Sequence, residues 1–125
     1  MIDFIKFLIF LLKRPKMFFI QEVDDFYFMV AGYIAGKEKE EYGSFMKEFS
    51  RYLSMKYNFK EDTLYNLIIK SMTVYDEVTL EILKNEMYKF LNSEEVRVME
   101  FWQFINVDEL KKISSDIAPF RTDEF

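Results

Sequence analysis

Apolar residues along this chain recur mostly at three- and four-residue steps, the spacing that places them on one side of a helix. The densest run comes first, with Phe4, Ile5, Phe7, Leu8, Ile9, Phe10, Leu11 and Leu12 crowded between Ile2 and Leu12. Pro15 ends that helix, because the residue before a proline is pushed out of the helical region, so Arg14 and Pro15 mark a corner. Lys16 to Val23 reads as irregular or as a short helical turn, and Asp24 and Asp25 as caps or first-turn acids. They lead into a helix from Asp25 to Ala35 with Phe26, Met29, Val30 and Tyr33 on one stripe. Gly32 inside it implies a close neighbour, and Gly36 a C-terminal stop.

After Lys37 to Glu41, a solvated connection or an exposed helical start with its mixed charges favouring the connection, Ser44 is positioned to cap a helix reaching Tyr57, with Phe45, Phe49, Tyr52, Leu53 and Lys56 on its repeating stripe. Asp62 or Thr63 starts another helix, with Leu64, Leu67, Ile68 and Met72 inward. Thr73 or Asp76 opens a long one whose core residues are Leu80, Leu83, Met87, Phe90 and Leu91, and Asn92 with Ser93 breaks it. Ser93 then caps a helix beginning Glu94-Glu95, along which Val98, Phe101, Trp102 and Ile105 align. A short helix from Asp108 to Ser115 buries Leu110 and Ile113, and residues 119–125 form an extended tail. The predicted fold is all-α, a single compact bundle of about six to seven short helices over residues 1–125.

Composition sharpens this picture. With only 3 Gly and 2 Pro, the chain lacks the turn residues that a sandwich or barrel needs, and 50% hydrophobic residues argue against disorder. The first apolar run, at roughly 11 residues and interrupted by Asp3 and Lys6, falls well short of the ~20 needed to span a bilayer. Lys13, Arg14 and Lys16 follow it rather than precede it, the reverse of a secretory signal, so it reads as a buried first helix. The absence of Cys suits a reducing compartment such as the cytoplasm.

Charge is uneven along the chain. Residues 61–125 carry 7 basic and 14 acidic groups, net −7, of a total net charge of −5. Such a surface repels phosphate backbones and draws basic partners, which disfavours direct nucleic-acid binding.

Candidate chemistry is sparse. No His or Cys is present, Gly32, Gly36 and Gly43 form no phosphate loop, and Ser44, Ser54, Ser71 and Ser93 have neither a histidine base nor a glycine elbow. Carboxylate pairs remain at Asp24-Asp25, Asp76-Glu77, Glu94-Glu95 and Asp108-Glu109, with Glu38, Glu40 and Glu41 beside one another. Neighbours on a helix point about 100° apart, so these pairs do not converge; most mark helix starts, where negative charge opposes the dipole. Glu77 and Glu81 differ in sharing one exposed helix side, with Lys84 one turn on to offset them. Tyr27, Tyr42, Tyr65, Tyr75 and Tyr88 fall off the core stripes, either as a binding surface beside the acids or half-buried with their hydroxyls in water. The chain is expected to be no enzyme and to need neither cofactor nor metal.

Arg14-Pro15-Lys16-Met17-Phe18 resembles the Arg-Pro-x-Met-Tyr motif near the end of the first helix in small immunity proteins of bacterial polymorphic toxin and contact-dependent growth inhibition systems. Gly32-Tyr33, the aromatic helix from Phe45 to Tyr57 and the acidic-start helix from Asp76-Glu77 to Phe90 fall in the order expected of that family. Phe18 stands where Tyr is usual and Ile20 where Gly is usual. The resemblance implies a cytoplasmic helical protein that binds and neutralises a cognate toxin domain, often a nuclease, by one-to-one association. It also implies a structural role for the motif: Pro15 fixing the corner, Met17 and Phe18 filling the core, and Arg14 bonding carbonyls at the helix end. The expected contact surface is Asp76, Glu77, Glu81, Glu94, Glu95 and Glu100, with Tyr75 and Tyr88 beside them. The competing expectation is a structural adaptor or homo-oligomerising module, docking on a neighbour or a membrane surface through residues 2–12.

Overall fold

A computed structural model of the chain describes residues 1–93. Among them five α-helices and one short 3-10 turn occur and no strand. The helices are α1 (Ile2–Lys13), α2 (Val23–Lys37), α3 (Glu40–Tyr57), α4 (Tyr65–Lys70) and α5 (Asp76–Leu91), with the 3-10 turn Pro15–Phe18 between the first two. The helices and tail expected beyond Ser93 lie outside the described residues.

Helix α1 ends where the proline requires, with Arg14 leaving the helical region and its N–H closing the last turn on the Phe10 carbonyl. Its acid, Asp3, lies in the first turn and its base, Lys13, in the last, both favourable to the helix dipole. Phe4, Ile5, Leu8, Ile9 and Leu11 are wholly inaccessible to solvent, so this helix is core rather than a free docking face. Burial at about 1.5–3 kcal/mol per large side chain makes it a major source of stability. Phe4 stacks on Tyr42 of α3 at 4.5 Å and meets Phe45 edge-on at 5.9 Å, while Phe7 stacks on Tyr33 of α2 at 4.0 Å.

Helix α2 starts earlier and ends later than its apolar stripe suggests. The Asp25 carboxylate accepts the backbone N–H groups of Gln21 and Glu22, at 2.9 and 3.2 Å, which fixes the chain entry and draws Val23 into the first turn. Gly36 is not the stop: the helix runs through Lys37, and Glu38 takes the left-handed cap conformation with φ 54°. Nor does Gly32 seat a neighbour, since a Cβ built there would meet nothing within 4 Å. Gly32→Ala is therefore expected to raise stability by about 0.5–1 kcal/mol, through helix propensity and a less mobile unfolded chain, as read by the urea midpoint. A loss of stability would show a packing contact at this position.

Helix α3 begins at Glu40 with Lys39 as its N-cap, so Ser44 lies inside the helix and caps nothing. Asn58 closes it in the left-handed region, which asparagine tolerates better than most residues. Helix α4 is short and turned relative to the expected register: Tyr65, Asn66, Ile68 and Ile69 are buried, whereas Leu64 and Leu67 are exposed. Polar ties set that rotation. The Ser50 hydroxyl of α3 accepts the Tyr65 N–H at 3.0 Å, and Asp24 of α2 receives Asn66 Nδ2 at 3.0 Å and Lys70 Nζ at 2.6 Å. The Lys70 hydrogen bond holds the Asp24 carboxyl below the usual carboxylate pKa, so Asp24 is a tertiary tether as well as a first-turn acid.

Helix α5 contacts all four other helices. Phe90 sits among Phe45, Phe49 and Tyr52 at 5.2–5.3 Å between ring centres, closing the aromatic core. Because neighbours cover α5 on more than one side, residues off its principal stripe are buried too.

Candidate protein-binding surface

Two stretches singled out separately in the sequence face each other across a groove of about 530 Å³. One wall is the end of α1 and the turn after it, including Lys13, Pro15, Lys16 and Phe19. The other is the first half of α5, with Glu77, Leu80, Glu81 and Lys84.

Pro15 supplies the pre-set φ at the start of the 3-10 turn and lacks the N–H that would have no partner there. The turn closes through Met17 N–H on the Arg14 carbonyl and Ile20 N–H on the Pro15 carbonyl, at 3.1 and 2.9 Å. That closure requires a left-handed residue at position 19, and the residue there is Phe19, with φ 59°. A bulky side chain in this conformation costs about 1–2 kcal/mol relative to the right-handed region. Its ring gains nothing in return from the core, being 88% exposed.

The expected interior roles in the motif hold only in part. Phe18 lies half-buried against the core, but Met17 is 64% exposed, because the tight turn carries it outward. The Arg14 guanidinium hydrogen bonds to the Met17 sulfur at 3.9 Å rather than capping helix carbonyls. Burial, then the neighbouring charges of Arg14 and Lys84, hold the Lys13 ammonium below its ordinary pKa.

Outside the groove, at the start of α5, Val74 is 90% and Tyr75 69% exposed, and Val78 is exposed as well. Asp76, Glu77 and Glu81 are exposed beside them. Asp76 and Glu77 lie in the first turn of α5, where the dipole favours them, and Thr79 Oγ1 braces that turn on the Asp76 carbonyl at 2.7 Å. Lys84 pairs with Glu81 at 2.8 Å and so offsets part of the acidic face. Tyr88 does not belong to this surface: it is 2% exposed, enclosed by the helices around α5. Tyr42 and Tyr65 are likewise interior, Tyr42 under Phe4 and Tyr65 against Phe26 and Phe49, and burial pushes the Tyr65 hydroxyl pKa far up. Glu94, Glu95 and Glu100 lie outside the described residues.

A buried polar cluster escaped sequence reasoning. Glu86 of α5, 4% exposed, accepts Lys56 Nζ at 2.9 and 3.1 Å and the Tyr57 hydroxyl at 2.5 Å, locking α5 to the end of α3. Burial works against the charged Lys56, but the Glu86 hydrogen bond and charge outweigh it and raise the ammonium's pKa; burial and Glu86 together raise that of Tyr57. The available signal was an opposite charge on the core stripe of each helix: Lys56 with Phe49 and Leu53, Glu86 with Leu83 and Phe90.

A second groove, of about 730 Å³, runs between α2, α3 and the approach to α4. Its floor includes Val30, Ile34 and Met46, and its rim mixes Lys47 and Arg51 with Glu48, Glu61 and Asp62. Among the described residues no helix is long and apolar enough to cross a membrane. No protein family, curated protein or solved structure matches the chain.

Proposed function

We propose that this chain is a cytoplasmic immunity protein, which binds a cognate bacterial toxin domain with a basic surface, such as a nuclease, and neutralises it stoichiometrically. The observation that carries this reading is the edge at the start of α5. There Val74, Tyr75 and Val78 stand in solvent interleaved with Asp76, Glu77 and Glu81. Exposed aliphatic and aromatic groups contribute nothing to the fold from that position, while apolar centres ringed by charge are how protein interfaces are built. The acidic excess of residues 61–125 supports a basic partner, since it speeds encounter and opposes nucleic acid. The resemblance around Arg14-Pro15-Lys16-Met17 supplies the toxin as the kind of partner.

Co-expression with the product of the reading frame that precedes this one tests the reading: that product should arrest growth alone, and this chain should rescue it. Wild type is expected to rescue, and the double reversal Glu77→Lys with Glu81→Lys to weaken binding by about tenfold or more and flatten its salt dependence. Helicity should be unchanged, because both side chains are exposed. Unaltered affinity in the reversal would move the interface elsewhere; no rescue by wild type would end the proposal.

A second reading, homo-oligomerisation, is favoured by one observation on α2. Phe28, Ala31, Gly32, Ala35 and Gly36 form an exposed, uncharged stripe at helical spacing. In the residue 2–12 segment most apolar side chains are buried and Phe10 is the exposed one, so the α2 stripe offers the broader apolar face. Light scattering distinguishes the two readings: a dimer lost on Phe28→Lys supports self-association, and a monomer excludes it.

A further inference from the structure

We propose that this chain pairs with a second copy of itself through the outer face of α2, the two helices crossing antiparallel about Gly32 so that Phe28 of each copy lies over Gly36 of the other. This pairing deepens the self-association reading, on which it rests, and it leaves the start of α5 free for a toxin. The face stands apart from the rest of the surface. From Phe26 to Gly36 the helix carries no charged residue, in a sequence of which 31% is charged. Phe28, 68% exposed, stands there with Ala31, Gly32, Ala35 and Gly36, all exposed. Nothing within the chain explains the two glycines. Neither has a positive φ, and a Cβ on either would meet nothing within 4 Å, although glycine inside a helix costs about 1 kcal/mol relative to alanine. The same face continues into the groove of about 730 Å³, where Ala31 and Ala35 form the α2 lip over the apolar floor of Val30, Ile34 and Met46. Tyr65 lines that groove too; it is 3% exposed, and its hydroxyl finds no hydrogen-bond partner within the chain.

Spacing and charge select a second copy as the occupant. An interface with two-fold symmetry must complement itself, so that if one residue meets another, the second meets the first in return. Phe28 and Gly36 stand one turn before and one turn after Gly32, a large ring and an open position placed evenly about one point. An antiparallel crossing there fills both gaps with both rings, while Gly32, or an alanine in its place, leaves the backbones room to approach. The groove's rim sets Lys47 and Arg51 against Glu48, Glu61 and Asp62, close to balance. Two chains of net charge −5 therefore meet at this face without the repulsion that the acidic start of α5 would impose.

Light scattering on the full chain should show a dimer. Gly36→Leu is expected to raise its dissociation constant by about tenfold or more by filling the gap that Phe28 enters. Helicity should not fall, since leucine is the better helix former and nothing in the same chain stands within reach of position 36. Register is read by cross-linking, which the absence of cysteine from the sequence makes clean. A chain carrying Phe28→Cys, mixed with one carrying Gly36→Cys and oxidised, should form the mixed disulfide faster than either chain alone, because the crossing brings these two positions together. Val74→Cys, 90% exposed at the start of α5, is the control and should not join Gly36→Cys at a comparable rate. A dimer undiminished by Gly36→Leu, or a mixed disulfide no faster than the Val74→Cys control, would overturn this crossing and leave self-association standing. A monomeric wild type would overturn both.

Discussion

Lys56→Met is expected to lower stability by about 3 kcal/mol, because it strands a buried carboxylate. Glu86 is nearly inaccessible, and without Lys56 only the Tyr57 hydroxyl would remain to meet it. Taking a carboxylate out of water is costly, and one neutral donor does not replace an ammonium hydrogen-bonded to both oxygens. Combining Lys56→Met with Glu86→Leu should recover most of the loss, since removing both charges removes the unmatched one. Urea unfolding of the two single variants and the double variant measures the coupling, and additive losses would show that the pair is not interacting. The pH dependence has a defined sign. Lys56 and Tyr57 both hold their protons more tightly folded than unfolded. Their contribution is therefore complete below about pH 10 and fades as pH rises through the raised folded values.

Phe4→Ala should cost about 4 kcal/mol, a large part of the 5–15 kcal/mol that holds a domain of this size together. The ring is wholly inaccessible and touches Tyr33, Tyr42 and Phe45, so truncation opens a cavity where α1, α2 and α3 meet. Thermal unfolding by circular dichroism is the measurement, with a much lower midpoint or no cooperative transition expected. A cost below about 1 kcal/mol would mean that α1 is not core, and would return residues 2–12 to consideration as a docking segment.

The contrast between these sites explains what the sequence made legible. Helix α1 was readable from its apolar run and the proline that ends it, and α5 from its apolar spacing and first-turn acids; α3 was readable from spacing and its end at Tyr57, while its start was placed at Ser44, four residues late. The exposed positions of Tyr75, Asp76, Glu77 and Glu81 followed from the same spacing. Errors arose wherever a partner distant in sequence decided the outcome. The rotation of α4 depends on Ser50 and Asp24, neither of which its own pattern reveals. Tyr42, Tyr65 and Tyr88 were misplaced because a single buried stripe presumes one covered side, and this bundle covers several. Met17 was placed inside because a motif fixes residue types, whereas the 3-10 turn decides where they point. The same turn brought Pro15 and Phe19 into one groove with Glu77 and Glu81, a meeting no local pattern could give.

The decisive experiment for the proposed neutralisation of a basic toxin domain is titration of the purified chain into the product of the reading frame that precedes its own, followed by calorimetry in parallel with that product's toxic activity. The prediction is saturation at one chain per toxin, weaker at higher salt, with activity falling to zero at the same equivalence point. Absence of binding heat, or binding that leaves the toxin fully active, would contradict it.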